Sequence, residues 1–232
     1  MKRIEFLYPE FCYLYAEDYN MEYLKRCSAE VEVIETNHNE TPKFVTDDVD
    51  MIYLGATTED TQEYIAELLI PYRDRIKELI DNGTVFLFTG NAIELLGKYI
   101  KDEDKEIKCL DIYDFYSLRK MKERRINTQF YGEYNGITVL AHMAKYSHMF
   151  GGIENPFINV TMGYGMNKES KIEGIHDKNL YATYSIGPFL ILNPYITKEI
   201  LRALGLDDAL LFEKEIIEAY EYRKKELIEK LK

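Results

Sequence analysis

The sequence predicts an α/β fold organised around a mixed, mainly parallel sheet. Short apolar runs of β type alternate with stretches of helical period through roughly the first hundred residues. A strand-rich, turn-rich region follows, and the chain closes on a charged amphipathic segment.

Ile4 to Leu7 is the first strand run, Val31 to Glu35 the second, Met51 to Gly55 the third, and Thr84 to Phe88 the fourth and most apolar. Asn20 to Ala29 caps and runs a short helix. Thr61 to Asn82 sets Tyr64, Leu68, Tyr72, Ile76, Leu79 and Ile80 on one face before Asn82-Gly83 stops it. Strands joined by helices imply right-handed crossovers in a parallel sheet, with ligands beyond the carboxyl ends of the strands.

Beyond about residue 105 the candidate strands Asn127 to Tyr131, Ile137 to Ala141 and Asn159 to Met162 form an antiparallel extension, Gly151-Gly152 and Gly163-Tyr164-Gly165 mark loops, and Leu180 to Ser185 is a strand leading into the turn at Gly187-Pro188. From about 207 to 232 the apolar residues Leu210, Leu211, Ile217, Tyr220, Leu227 and Leu231 recur among charges, which reads as an amphipathic helix. Part of it is expected to pack on its own domain and part to serve a partner or a second copy. Residues 1–232 read as one domain, without internal repeat or linker.

Composition narrows the function classes. A 46% hydrophobic and 30% charged chain of 232 residues folds as an ordinary globular protein. A formal charge of -12 argues against nucleic acid, which needs a basic face, and the basic stretch Arg119 to Arg125 is short. No apolar run reaches the roughly 18 residues of a membrane span, and the N-terminal residues lack a signal-peptide pattern, so the expected location is the cytoplasm. The three cysteines, Cys12, Cys27 and Cys109, have neither disulfide-framework nor zinc-site spacing and read as packed thiols.

Three segments carry a resemblance. Asp81 to Tyr99, DNGTVFLFTGNAIELLGKY, resembles an apolar strand, a Cys-Gly-Gly-Tyr-Gln turn and a Leu-Leu-Gly opening a helix. Gly174 to Leu190, GIHDKNLYATYSIGPFL, resembles a segment ending Thr-Tyr-Leu-His-Gly-Pro. Asp50 to Gln62, DMIYLGATTEDTQ, occupies the place of a strand and glycine-rich loop. In order and spacing these are similar to class I glutamine amidotransferase domains of the cobyric acid synthase and lipid II amidotransferase type. The resemblance implies a three-layer αβα, flavodoxin-like fold with a mixed, mainly parallel sheet. It also implies a cysteine on a tight turn, a histidine base on a later strand, and ammonia passed to a synthetase that resembles the Mur ligases.

The chain departs from that pattern at the chemistry. Gly90 stands seven residues after Gly83 and seven before Gly97, so the motif reads Gly90-Asn91-Ala92-Ile93-Glu94 and carries no thiol. Ile186 directly precedes Gly187-Pro188, where the family has its histidine. The glycine-rich loop reads Gly55-Ala56-Thr57-Thr58, and the family's Phe-Glu-Asn-His reads His142-Met143-Ala144-Lys145. Glycine tolerates a positive φ, so the turn is expected to persist at Gly90, with backbone N–H groups that could hold a carboxylate or anion, inside a cleft made apolar by Ile186.

No catalytic residue is assigned. Gly55, Ala56, Thr89, Gly90, Asn91, Arg125 and Ser185 are the candidate cleft or ligand-binding residues, Arg125 because it matches an arginine near the glutamine site of the lipid II enzyme's small subunit. Thr89 lacks an adjacent base in the sequence, and His176, ten residues before Ile186, reads as structural. His142 and His148, six apart, do not share one helix face, so no metal is assigned, and no cofactor is expected. The expectation is a catalytically degenerate binding, scaffold or regulatory subunit with a Mur-ligase-like or synthetase partner, and with a small amide or anion as ligand. An active amidotransferase or hydrolase using other residues, and a small-molecule sensor, remain open.

Overall fold

The computed structural model describes residues 1–231. The chain opens with strand β1 (Lys2–Leu7), helix α1 (Tyr19–Cys27), β2 (Val31–Thr36), the short α2 (Lys43–Thr46) and β3 (Met51–Leu54). Helices α3 (Glu59–Leu69) and α4 (Arg73–Asp81) lead into β4 (Val85–Thr89). Thr58 starts α3 by accepting the Thr61 N–H on its hydroxyl, with Glu59 and Asp60 favouring the positive end of the helix dipole. The single helix expected from Thr61 to Asn82 is broken at Ile70–Tyr72, because Pro71 has no N–H to continue the ladder.

Eight short strands then form two further sheets. These are β5 (Tyr99–Asp102), β6 (Lys105–Lys108), β7 (Phe115–Arg119), β8 (Ile126–Tyr134), β9 (Ile137–Lys145), β10 (Ser147–Gly151), β11 (Ile158–Met162) and β12 (Ile172–Glu173). The chain returns through β13 (Ile175–Asp177) and β14 (Leu180–Thr183) to the first sheet, then closes with α5 (Phe189–Leu192), α6 (Pro194–Ala203) and α7 (Glu213–Lys230).

The main sheet has the order β13-β14-β4-β3-β1-β2. Strands β2, β1, β3, β4 and β14 are parallel, and β13 is antiparallel at the edge. The 2-1-3-4-5 order of the parallel strands is flavodoxin-like and gives the three-layer αβα architecture. The other two sheets run β10-β7-β5-β6 and β12-β11-β8-β9, antiparallel except for the β5–β7 pair. One apolar cluster is continuous from β1 through β4 to β14 and into the second and third sheets.

Two expectations need correction at the ends of motifs. Gly90–Leu96 is a 3-10 stretch, not the opening of a longer helix, because Gly97 is extended and feeds β5. The last helix begins at Glu213 rather than near 207. Phe212 sits at φ 53 in the left-handed region, and the Glu213 carboxylate accepts the Leu210 N–H at 3.0 Å, so residues before it turn instead of coiling. Tyr220 and Leu227 of α7 are buried with Tyr131 and Leu140, while Tyr222 is 73% exposed. Among the described residues no helix is long and apolar enough to cross a membrane.

Candidate functional site

Beyond the carboxyl ends of β1, β3, β4 and β14, where a parallel sheet presents its ligand crevice, the chain places a closed polar network. Glu17, in the loop after β1, is fully buried. Its carboxylate accepts the Gly187 N–H at 2.7 Å, the Tyr53 hydroxyl at 2.7 Å and the Thr89 hydroxyl. Asn20 reinforces the same junction: its amide N–H groups donate to the Glu17, Tyr53 and Gly187 oxygens, and its Oδ1 accepts the Leu190 N–H. Burial pushes the Glu17 carboxyl up to about 7, against the hydrogen bonds that favour its ionised form.

Gly90 stands at the end of β4 with φ +60, as a tight strand-to-turn corner requires. A Cβ at this position would overlap the Cβ of Ala56, stand 3.0 Å from the Ala56 Cα and 3.2 Å from Cγ2 of Ile186. The nucleophile and base positions therefore face each other as the spacing predicts, yet the space between them is closed rather than a cleft. Asn91 holds it shut. Its side chain accepts the Thr57 N–H and donates to the Thr57 carbonyl, both at 3.0 Å, while Gln62 donates to the Asn91 carbonyl at 2.6 Å.

The Gly90 N–H donates to the Ser185 carbonyl at 3.0 Å, which ties the corner to the segment just before Ile186. Gly55 is buried, and a Cβ there would meet the Tyr53 hydroxyl, Cys12 and Glu17 within 3.1–3.2 Å. Gly55, Ala56, Thr89, Gly90, Asn91 and Ser185 are thus brought together, but as a packed corner.

Two side chains near this corner have nucleophilic chemistry. Cys12 is fully buried beneath Gly55, with Sγ 3.7 Å from the Gly55 carbonyl, and burial raises its thiol far above the usual range. Thr89 does have a carboxylate beside it, Glu17, which the sequence does not reveal. Both are 0% exposed, and each oxygen of the pair is engaged. Glu17 carries no readable motif; it lies in a tyrosine-rich loop and becomes visible only through the fold.

Arg125 is elsewhere. It lines a pocket of about 460 Å³ together with His142, Arg223 and Ile186, so Ile186 belongs to both places, one side against Gly90 and the other toward the pocket. His176 is structural: its ring bonds the Leu180 carbonyl and the Tyr134 hydroxyl at 3.1 and 3.0 Å. Lys145 turns inward and is buried over the Tyr184 ring, donating to the Met166 carbonyl at 2.8 Å; desolvation lowers it to about 8.

Residues 3–193 match the family model of the CobB/CobQ-like glutamine amidotransferase domain. The chain belongs to this family. It is 32% identical over 210 residues, 88% of this chain and 83% of the relative, to the lipid II isoglutaminyl synthase (glutamine-hydrolyzing) subunit GatD of Staphylococcus aureus (strain N315). The Streptococcus pneumoniae (strain ATCC BAA-255 / R6) protein of that name is 27% identical over 157 residues, covering 62% of this chain and 56% of the relative. Among solved structures, a glutamine amidotransferase superposes with a TM-score of 0.57 at 14% identity, covering 87% of this chain and 99% of that one. PurLQS from Thermotoga maritima gives 0.55 at 13% identity, covering 96% and 98%. These likenesses agree with the family's α/β fold. In this family member, α7 and its Arg223 lie beyond the matched segment.

Proposed function

We propose that this chain is a catalytically degenerate glutamine amidotransferase-like subunit that binds, scaffolds or regulates a Mur-ligase-like synthetase. The observation that carries the reading is the contact set of Gly90, Ala56 and Ile186. Amide hydrolysis through an acyl-enzyme needs a nucleophile on the corner, a base within hydrogen-bond reach and donors around a tetrahedral intermediate. At the nucleophile and base positions the chain supplies a hydrogen and an apolar side chain.

The partner half of the proposal draws on the Staphylococcus aureus relative, whose name makes it a subunit of a synthase. It also draws on Tyr13, in the loop after β1, and Tyr19, at the start of α1, which are 65% and 54% exposed and are of the aromatic type enriched at interfaces. Co-expression with a Mur-ligase-like protein from the same organism, followed by light scattering on the purified material, is expected to give a stable complex. Separate elution of the two proteins would remove the partner half.

A second reading, a hydrolase using Thr89 with Glu17 as base, rests on the hydrogen bond between those side chains. Its requirement is an ammonia release that disappears in Thr89→Val. The complete burial of both groups favours the first reading.

A further inference from the structure

On the far side of Ile186 from Gly90, the pocket of about 460 Å³ is walled by the outward rows of β8 and β9 and bordered by Arg223 of α7. The register explains the wall: Asn127 pairs with Ala144 and Gln129 with His142, so these four side chains share one face of the hairpin. Arg125 enters from the turn before β8 and Arg223 from α7.

We propose that this pocket binds a small organic oxyanion, with Arg125 and Arg223 as its charge partners. The site goes beyond the non-catalytic reading and does not depend on it, since the pocket and the Gly90 corner touch only through Ile186.

Charge is the first argument. Five other arginines, Arg26, Arg73, Arg75, Arg119 and Arg202, each pair with a carboxylate. Among the described residues Arg3, Arg124, Arg125 and Arg223 pair with none, and of these four Arg125 and Arg223 line one pocket, although the chain carries a formal charge of -12. No Asp or Glu lines the pocket. Two cations facing one concavity without an acid repel each other, and an incoming anion relieves that repulsion.

Unmet hydrogen bonding is the second. Arg125 Nε and Arg223 Nη1 are buried without a partner, a costly state for a charged donor. Arg125 is nonetheless held in place. Its guanidinium lies 5.3 Å from the Tyr146 ring centroid and 5.9 Å from that of Tyr15, and Nη2 donates to the Ala144 carbonyl at 3.2 Å. A donor fixed by its surroundings while one of its N–H groups stays free is preorganised for a ligand.

The remaining groups refine the ligand class. His142 Nε2 lies 2.6 Å from Asn127 Oδ1, an acceptor, so the proton sits on Nε2. Burial and Arg223 hold the ring neutral, which leaves the two arginines as the site's positive charge. Tyr15, Ile186 and Leu192 add apolar wall, so the occupant has an organic body behind its anionic head. Guanidinium forks accept phosphate and carboxylate alike, and the choice between them is left to the probes.

Titration calorimetry with glycerol 3-phosphate, succinate and L-glutamine tests the site on the full chain. At least one of the two anions is expected to bind saturably and more tightly than the net-neutral L-glutamine, and the tighter anion assigns phosphate or carboxylate. Arg125→Gln and Arg223→Gln are each expected to weaken that anion about tenfold or more, and Arg223→Lys less than Arg223→Gln. Without ligand both Gln variants should keep a cooperative melt and the wild-type far-UV circular dichroism spectrum; this separates a lost site from a lost fold. Saturable binding by neither anion would overturn the proposal, as would unchanged affinity in both Gln variants or tighter binding of L-glutamine. Failure of both anions together with loss of synthetase association in Arg223→Gln would also overturn it and give these arginines to a protein interface.

Discussion

Gly90 and Ala56 are complementary: the side chain missing from one leaves the volume that the methyl group of the other occupies, and a Cβ on Gly90 would overlap the Cβ of Ala56. A reversion at Gly90 alone therefore has nowhere to go. Gly90→Ala and Gly90→Cys are each expected to cost about 2–4 kcal/mol, from overpacking plus a side chain at positive φ. Adding Ala56→Gly should return the overpacking part and leave about 1–2 kcal/mol for the backbone. Urea unfolding of the single and double variants measures both, and equal losses in the two would contradict the paired-volume account.

Glu17 makes stability depend on pH. Its folded carboxyl is raised to about 7 from an ordinary 4.5, so the folded state holds this proton more tightly than the unfolded chain does. Its contribution is fully present below pH 4.5 and is lost as pH rises through about 7, by about 3 kcal/mol in all. Glu17→Gln mimics the protonated form. The stability difference between variant and wild type should therefore grow in the variant's favour from pH 4.5 to 7, as read from denaturant midpoints at several pH values; a difference independent of pH would contradict the assignment.

The closing helix is held by few contacts, and they are specific. Tyr220 donates its hydroxyl to the Thr138 carbonyl at 2.5 Å, and Leu227 packs in the cluster with Tyr131 and Leu140. Leu227→Ala is expected to cost about 2–4 kcal/mol, whereas Tyr222→Ala, at a 73% exposed site, should change stability by less than about 0.5 kcal/mol. Deleting 213–232 should lower the melting temperature and leave the number of copies per particle in solution unchanged. A changed number of copies would mean that α7 mediates self-association.

Much of this was legible from periodicity and spacing. The four strand runs through Phe88 are β1 to β4: β3 and β4, buried on both faces, read as continuous apolar sequence, while the edge strand β2 keeps Glu32 and Glu35 exposed. Equal spacing from Gly83 and Gly97 placed Gly90 at the corner, and Gly187-Pro188 placed Ile186 opposite it. The helix through Pro71 was misread because its apolar face continues on both sides of the break. Strands β5, β6, β7, β10, β12 and β13 were missed, being two to five residues long and, in β6, largely charged. What the sequence withheld at the site was partnership: that Ala56 fills Gly90, that Glu17 sits under Thr89, and that Arg223, one charge among many in α7, meets Arg125 across a pocket. Those pairings join residues far apart in the chain and leave no local pattern.

Ammonia release from L-glutamine is the measurement that bears most directly on the central claim. Losing the nucleophile or base of a hydrolytic unit costs on the order of a millionfold in turnover, and here both positions are changed. The purified wild type, alone and with its synthetase, is expected to release no ammonia above the enzyme-free blank. The same should hold for Gly90→Cys with Ile186→His, because the Cβ of Ala56 still fills the corner. Glutamine-dependent ammonia release by the wild type at catalytic turnover would contradict the account, and its loss in Thr89→Val or Cys12→Ala would name the residue responsible.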